Sequence, residues 1–378
     1  MKQNKNILIS GGAGFIGSNL ALYLKSLGYN VSVLDNLSRQ IHGDNLDNSD
    51  LYQSIKNKVN FILGDVTIKE DWVKAIDGQD VVIHLAAETG TGQSMYEISK
   101  YVKVNVGGTA TLWDVLVNHK NSIKKVVLAS SRAIYGEGVY QCQGSCGLVG
   151  VQPRTKIQLQ AGRWEPVCPI CGGLAQSKAT PETAIPAPAS LYACTKLAQE
   201  QMSLTMGKAR GISVAVLRFQ NVYGPGQSLR NPYTGILSIF SNQLRQNLPV
   251  NIYEDGAESR DFVFVQDVVQ ACKQAVESKD SNIVVNVGSG RPTTVLELAH
   301  ALKKLWMSES PITVTGAFRL GDIRHNWADL TQLYRLFPDW KITVLDVGLA
   351  QFVEWAKGQA VFEDKTISAE QELKARNL

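Results

Sequence analysis

The string Gly11-Gly12-Ala13-Gly14-Phe15-Ile16-Gly17 constrains this chain more than any other segment, because it joins an apolar run at 7–10 to a helix-patterned stretch at 15–27. Gly11, Gly14 and Gly17 keep a G-x-x-G-x-x-G spacing. Glycines there permit a tight strand-to-helix turn and let the backbone approach a pyrophosphate, whose charge the helix N-terminus stabilises. Such a turn belongs in a parallel α/β sheet, and the next segments fit one. Short runs rich in Val, Ile and Leu at 31–34, 60–63, 81–85 and 126–129 read as strands buried on both faces. Helical spacing fills 69–76 and 101–118 between them. The alternation predicts a Rossmann-type doubly wound sheet.

Asp35 ends the second run, where a carboxylate can accept the hydroxyls of an adenosine ribose. It would repel a 2′-phosphate, so the chain is expected to take NAD; nearby Arg39 keeps NADP as the alternative. Gly64-Asp65-Val66 follows the third run as a further cue.

The rhythm breaks near Val139 and resumes near Leu191, with a helix to Gly207, a strand at 213–218, a helix at 267–277 and a strand at 283–287. This gives a Rossmann domain over 1–223 with an insert at 141–180, and a second stretch of the same domain at 262–289. Residues 224–261 and 290–378 would form a smaller mixed α/β substrate lobe. A capping loop is expected to begin at Asn231-Pro232-Tyr233-Thr234-Gly235, and the polar tail after Phe362 to fray.

With 38 Lys+Arg against 34 Asp+Glu, the net charge is +4, and no block of like charge suggests nucleic acid. No apolar run approaches the roughly 20 residues of a membrane helix, and a cytoplasmic protein is expected. Six cysteines are too few for a disulfide scaffold in 378 residues. Four of them, Cys142, Cys146, Cys168 and Cys171, form two knuckle-like turns inside the insert, the second reading Cys-Pro-Ile-Cys-Gly-Gly. Four thiolates suit a closed, structural zinc site that would order an insert with little core of its own. Cys194 and Cys272 are expected to be small buried residues, and His84 a packed strand residue.

Tyr192 and Lys196 stand four apart on the helix that follows the insert, hence on one face. An ammonium beside a phenol favours phenolate and makes the tyrosine a usable acid/base.

Taken together, Gly11–Gly17, Asp65, His84-Leu85-Ala86-Ala87, Asn105, Ser130-Ser131-Arg132-Ala133-Ile134-Tyr135-Gly136 and the Tyr192/Lys196 pair resemble the extended short-chain dehydrogenase/reductases, in family order and over most of the chain. The resemblance implies a Ser131, Tyr192, Lys196 catalytic group. It also implies a cofactor bed of Gly11, Gly14, Phe15, Ile16, Gly17, Asp35, Asn36, Asp65, Val66, Leu85, Ala86, Ala87 and Asn105, together with Tyr192 and Lys196. Dehydratases of the family carry two acids after the catalytic hydroxyl; Arg132 and Ala133 stand there instead, so the pattern is similar to the nucleotide-sugar epimerases.

The stretch from Arg218 to Gly226 resembles the family segment whose asparagine touches a diphosphate, which maps to Asn221. Ser259-Arg260-Asp261-Phe262 and Arg319-Leu320-Gly321-Asp322 resemble elements that grip phosphate and ribose, giving Arg260, Arg319 and Asp322. Guanidinium forks pair phosphate oxygens bidentately, so a nucleoside-diphosphate sugar is the expected substrate. Ser131, Thr89 and Gln93 are the candidates on the sugar side. The insert and the segment around 224–235 look most like a subgroup of epimerases acting at C4 of dTDP-L-rhamnose, to give dTDP-6-deoxy-L-talose. UDP-hexose epimerases, a keto-sugar reductase and a non-catalytic NAD sensor are the alternatives. The family also implies a homodimer through the helices at 101–118 and 191–207.

Overall fold

The computed structural model describes residues 5–229, 235–361 and 376. The start of the expected capping loop, 231–234, and most of the polar tail lie outside them.

Seven strands form one all-parallel sheet. In chain order these are β1 (Asn6–Ser10), β2 (Asn30–Asp35), β3 (Asn60–Leu63), β4 (Val81–His84) and β5 (Lys125–Ser131). The insert contributes β6 (Val139–Cys142), β7 (Leu148–Gly150) and β8 (Ala175–Lys178), and the sheet resumes with β9 (Ser213–Phe219). Then come β10 (Asn221–Tyr223), β11 (Val250–Ile252), β12 (Ser259–Phe264) and β13 (Ile283–Val287), the last of which closes the large sheet. Its spatial order is β13-β9-β5-β4-β1-β2-β3, so the winding reverses between β1 and β4, where Leu8 lies level with Val82. Ligands bind outside the carboxyl ends of strands at such a reversal.

Residues alternate between two cores because the sheet is covered on both faces. Ile7, Ile9, Val33 and Ile83 pack on one side with Leu20 and Leu24 of the helix Phe15–Ser26. Leu8, Leu34, Val82 and Leu128 pack on the other with Trp72, Leu112 and Leu116.

The second lobe has its own core, in which Tyr223, Phe240, Phe262, Leu298 and Phe352 meet. Its sheets add β14 (Pro292–Thr294), β15 (Ile312–Val314) and β16 (His325–Asn326). Two expected boundaries move. β10 pairs with β12, so the lobe's sheet begins at Asn221 rather than after Tyr223. In addition, Leu330, Leu333, Phe337 and Trp340 pack into the first core under the large sheet, although they lie in the stretch assigned to the substrate lobe.

The helix expected over 101–118 is interrupted: Ile98–Tyr101 leads into a π-helical turn, Val102–Gly107, before Gly108–Asn118 resumes as α-helix. The insert folds as a small antiparallel sheet, β7-β6-β8, around Tyr140, Cys142, Val149, Cys168 and Ala175. It is riveted to the second lobe by buried charge. Arg154 donates to Glu254 (2.7 Å) and to the Asp322 carbonyl (2.8 Å), while Glu165 of the insert accepts from Arg324 (2.8 Å). Of the single cysteines, Cys272 is buried as expected, but Cys194 is exposed on the outer face of its helix. No helix among the described residues is long and apolar enough to cross a membrane.

Candidate active site

The glycine turn lies at the end of β1. Gly11 has φ +71°, and a Cβ there would stand 2.7 Å from the Ala86 nitrogen, so Leu85 and Ala86, just past β4, form its floor. A Cβ on Gly17 would meet the Gly11 carbonyl at 2.2 Å, which locks helix against turn. At Gly14 the same atom would meet only the Gly11 oxygen, at 3.4 Å, leaving the outer side open to a ligand. No side chain caps the following helix and no acid occupies its first turn, so the N-terminal end at Phe15 and Ile16 suits an anion. These features fit a dinucleotide pyrophosphate.

Asp35 ties the cradle together: its carboxylate accepts from the N–H groups of Ala13 (2.9 Å) and Leu37 (2.9 Å). Each oxygen keeps a second acceptor site for a ribose diol. Arg39 is engaged with Asp44 rather than standing free for a 2′-phosphate. Asn36 donates to Asp65 (3.0 Å). Burial works against the Asp65 charge, but the Thr67 N–H and the Asn36 amide outweigh it and hold the carboxyl below its ordinary value. Val66 packs against Gly108 and accepts from the Trp72 indole (2.8 Å).

Asn105 is displaced from the role expected of it. Its amide accepts from the Glu88 N–H (2.8 Å) and donates to the Glu88 carbonyl (3.1 Å) and the Thr195 hydroxyl (2.9 Å), so it is consumed in joining the β4 loop to the tyrosine helix.

Ser131 is the last residue of β5, and its hydroxyl accepts from the Ala133 N–H at 3.1 Å. Tyr192 opens the helix Leu191–Arg210, where Ser190 caps Ala193. Ser94, which the motifs did not reveal, accepts from the Tyr192 N–H at 3.1 Å and anchors that first turn. Burial pushes the Tyr192 phenol up, and the Ser131 hydroxyl and the Arg132 charge pull it back in part.

Lys196 corrects the sequence expectation. It shares the helix face with Tyr192, but its ammonium donates to the Ala129 carbonyl (2.8 Å) and the Gln199 amide (2.9 Å). Burial brings it down to about 8 against the opposing pull of Glu200. His84 is the packed strand residue expected, held between the hydroxyls of Ser10 (2.6 Å) and Thr109 (3.1 Å).

Asn221 accepts from the Arg132 Nε at 2.6 Å. Arg260 is half-buried and uses its fork on the carbonyls of Ile323 (2.7 Å) and Arg324 (3.0 Å), so it also shapes the loop that carries Asp322. Arg319 is exposed and lies over the Tyr253 ring, 4.7 Å from its centroid. The two sugar-side candidates differ from expectation. Thr89 is exposed, with its carbonyl taken by the Tyr101 hydroxyl, and Gln93 is turned toward Gln40 (2.9 Å). Asp261, unmarked by any expectation, is a buried hub that accepts from Ser289, Gly290 and Ala328.

In the insert, the sulfurs of Cys142, Cys146, Cys168 and Cys171 all lie within 4.8 Å of one another, and none is in a disulfide. The Gly144 N–H donates to the Cys142 sulfur at 3.2 Å, and the N–H of Cys171 helps draw the Cys168 thiol down to about 7.

Residues 7–149 and 167–288 match the model of the NAD dependent epimerase/dehydratase family. The chain belongs to that family. The gap in the match falls within the cysteine insert. A dTDP-L-rhamnose 4-epimerase of Burkholderia thailandensis is 36% identical over 93% of this chain and 94% of its own length. A putative UDP-glucose 4-epimerase of Methanocaldococcus jannaschii is 30% identical over 93% and 98%. Among solved structures, the UDP-glucose 4-epimerase of Thermotoga maritima with UDP-glucose superposes with TM-score 0.74 at 29% identity, covering 93% of this chain and 98% of that one. The chain is an enzyme of the isomerase class.

Proposed function

We propose that the protein is an NAD-dependent nucleotide-sugar 4-epimerase whose substrate is dTDP-L-rhamnose, epimerised to dTDP-6-deoxy-L-talose. The observation that carries the reading is that Ser131 ends β5 and the helix opened by Tyr192 is tied to the same strand end, through Lys196 and the Ala129 carbonyl (2.8 Å), on the same side of the sheet as the open glycine cradle. The choice of sugar is supported by the identity to the Burkholderia enzyme. NAD is supported by the cradle, by Asp35 and by the pairing of Arg39 with Asp44.

When bound, NAD supplies a reversible hydride acceptor. Tyr192 takes the proton of the C4 hydroxyl and returns it, with Ser131 orienting that hydroxyl and the phenol together. Lys196, buried against Ala129, holds positive charge under the tyrosine helix. Asn221, Arg260, Arg319 and Asp322 retain the nucleotide while the oxidised sugar turns over. Asn105 and Ser94 act one step back, by fixing the β4 loop and the first turn of the tyrosine helix. The four cysteines are assigned to a structural zinc, and the chain to a cytoplasmic homodimer joined through the helices Gly108–Asn118 and Leu191–Arg210.

The test is incubation with a panel of dTDP-, UDP- and GDP-sugars, followed by NMR of the ring-proton couplings of the product. Inversion at C4 of dTDP-L-rhamnose alone is the expected result. Turnover of UDP-hexoses only would transfer the assignment to the UDP-hexose type. Stoichiometric consumption of NAD(P)H would make the enzyme a reductase. Tyr192→Phe is expected to abolish turnover while keeping bound NAD.

A further inference from the structure

We infer that Arg154 is a positioning residue for the nucleotide: from within the cysteine insert it holds the loop that carries Arg319 and Asp322, so that the insert sets how tightly a nucleoside diphosphate is gripped. The inference rests on the nucleotide-holding part proposed for Arg319 and Asp322.

That loop depends on outside support. Residues 315–324, between β15 and β16, contain neither helix nor strand, so side chains and single backbone contacts fix their path. The two ends are tied to the second lobe. The Thr315 N–H donates to the Ile252 carbonyl (2.9 Å), the Glu254 N–H donates to the Ala317 carbonyl (2.7 Å), and Arg260 takes the carbonyls of Ile323 and Arg324. The middle is met by Tyr253 at Arg319 and, from the insert, by two further side chains. Arg154 donates to the Asp322 carbonyl at 2.8 Å, and the Trp164 ring lies 6.4 Å from that of Phe318, centroid to centroid. Arg319 and Asp322 themselves are exposed, where a ligand can reach them.

The Arg154 guanidinium suits this part. Its side chain is 1% exposed. One terminal nitrogen donates to the Glu254 carboxylate (2.7 Å) and the Trp164 carbonyl (3.1 Å), and the other donates to Asp322. A single planar fork therefore references the Asp322 backbone to Glu254, the residue that also holds Ala317 near the loop's other end. The same fork fixes the residue whose ring packs on Phe318. Both partners lie outside the family pattern, since Arg154 and Trp164 fall in the unmatched stretch between 149 and 167, and the loop lies beyond the last matched residue, 288.

A rivet that only joins two lobes predicts a loss of stability, whereas a positioning residue predicts a loss of nucleotide affinity that runs through Arg319 and Asp322. The experiment measures dTDP and UDP binding by calorimetry to NAD-loaded wild type, Arg154→Met and Trp164→Leu. It also compares Arg319→Gln/Asp322→Asn with and without Arg154→Met, and follows bound NAD, melting temperature, kcat and KM for each variant. Losing one charge-assisted hydrogen bond from the loop is expected to weaken binding of the nucleotide about tenfold in Arg154→Met. KM should rise in step, with kcat falling far less. In the Arg319→Gln/Asp322→Asn background the same substitution should cost less than about threefold, because the grip it positions is already gone. Trp164→Leu disturbs none of the ion pairs described above and should weaken binding about threefold, which keeps the inference open to refutation if Arg154→Met fails to fold. Unmoved dissociation constants with only a lower melting temperature overturn the inference, as does a tenfold loss that persists undiminished without Arg319 and Asp322. Wild type that binds neither nucleotide would defeat the proposed function and this inference together. Wild type that binds nucleotide through Arg154 but leaves dTDP-L-rhamnose unchanged would defeat the proposed function alone.

Discussion

Replacing Arg324 by Met tests whether the insert and the second lobe are held together by buried charge. The Arg324 side chain is 1% exposed and meets Glu254 (2.9 Å), Asp255 (2.7 Å), Glu165 (2.7 Å) and, more distantly, Glu258 (3.8 Å). Asp255 and Glu165 are 42% exposed and regain water readily, so their share is small. Glu254 and Glu258 are buried. Glu254 keeps Arg154 at 2.7 Å, whereas Glu258 loses the cation 3.8 Å from it and keeps the charge of Arg260. Stranding buried carboxylates in this way costs about 3–5 kcal/mol, and the retained Arg154 places the expectation near 3.

Urea unfolding followed by tryptophan fluorescence reads the loss, since Trp164 and Trp327 flank the junction. The deficit also carries a pH signature. Burial already pushes Glu258 up to about 7, above its unfolded value, so its ionisation opposes folding and stability falls as pH rises through 7. In Arg324→Met that midpoint rises further, and the gap to wild type is expected to narrow on going from pH 8 to pH 6. Adding Glu258→Gln should recover about 1 kcal/mol or more of the loss. A cost below about 1 kcal/mol at pH 8, or one that ignores both pH and Glu258, would refute the reasoning. Because Arg260 grips the carbonyl of residue 324, the KM for the nucleotide sugar should rise as well.

Gly17→Ala would place a Cβ 2.2 Å from the Gly11 carbonyl, backbone that cannot yield, and is expected to cut bound NAD at least tenfold, measured as nucleotide released on denaturation. His84 is pushed down to about 3 by burial and by Lys196, so the unfolded chain takes up its proton first. Its contribution to stability is complete above pH 6.5 and is lost as pH falls toward 3; His84→Asn should flatten the decline between pH 6.5 and 4 in urea midpoints. Elemental analysis is expected to find one zinc per chain, absent in Cys168→Ser/Cys171→Ser, and a metal-free wild type that keeps its cysteine pairs ordered would count against the zinc assignment.

Much of the sheet was legible because its signals are local. Apolar runs, the glycine spacing and Asp35 each declare themselves within a few residues, and the strands fall within two residues of where they were expected. The site was legible as a set of residues but less so as a set of orientations. Tyr192 and Lys196 do share a helix face, yet spacing cannot show that a buried carbonyl at Ala129 captures the ammonium. Asn105 reads as a cofactor ligand until the π-helical turn directs its amide to Glu88 and Thr195. Arg154, Glu165 and Arg324 gave no signal at all, because each looks like an ordinary surface charge and its partners are distant in sequence. Residues 328–340 were assigned to the wrong lobe for a related reason: chain order does not reveal that Leu333 and Trp340 return under the large sheet.

The widened turn at Val102–Gly107 has a bearing on how tolerant this helix is to change in its length. An i-to-i+5 turn absorbs one residue more than an α-helical path between the same two points. Excising a single residue from that turn would let Ile98–Asn118 wind as an unbroken α-helix. The side chain at 105 would then swing about 100° round the axis, away from Glu88 and Thr195. A shorter, more regular helix would thus uncouple the loop after β4 from the tyrosine helix, so at this point an irregular backbone is what keeps two distant parts of the chain in step.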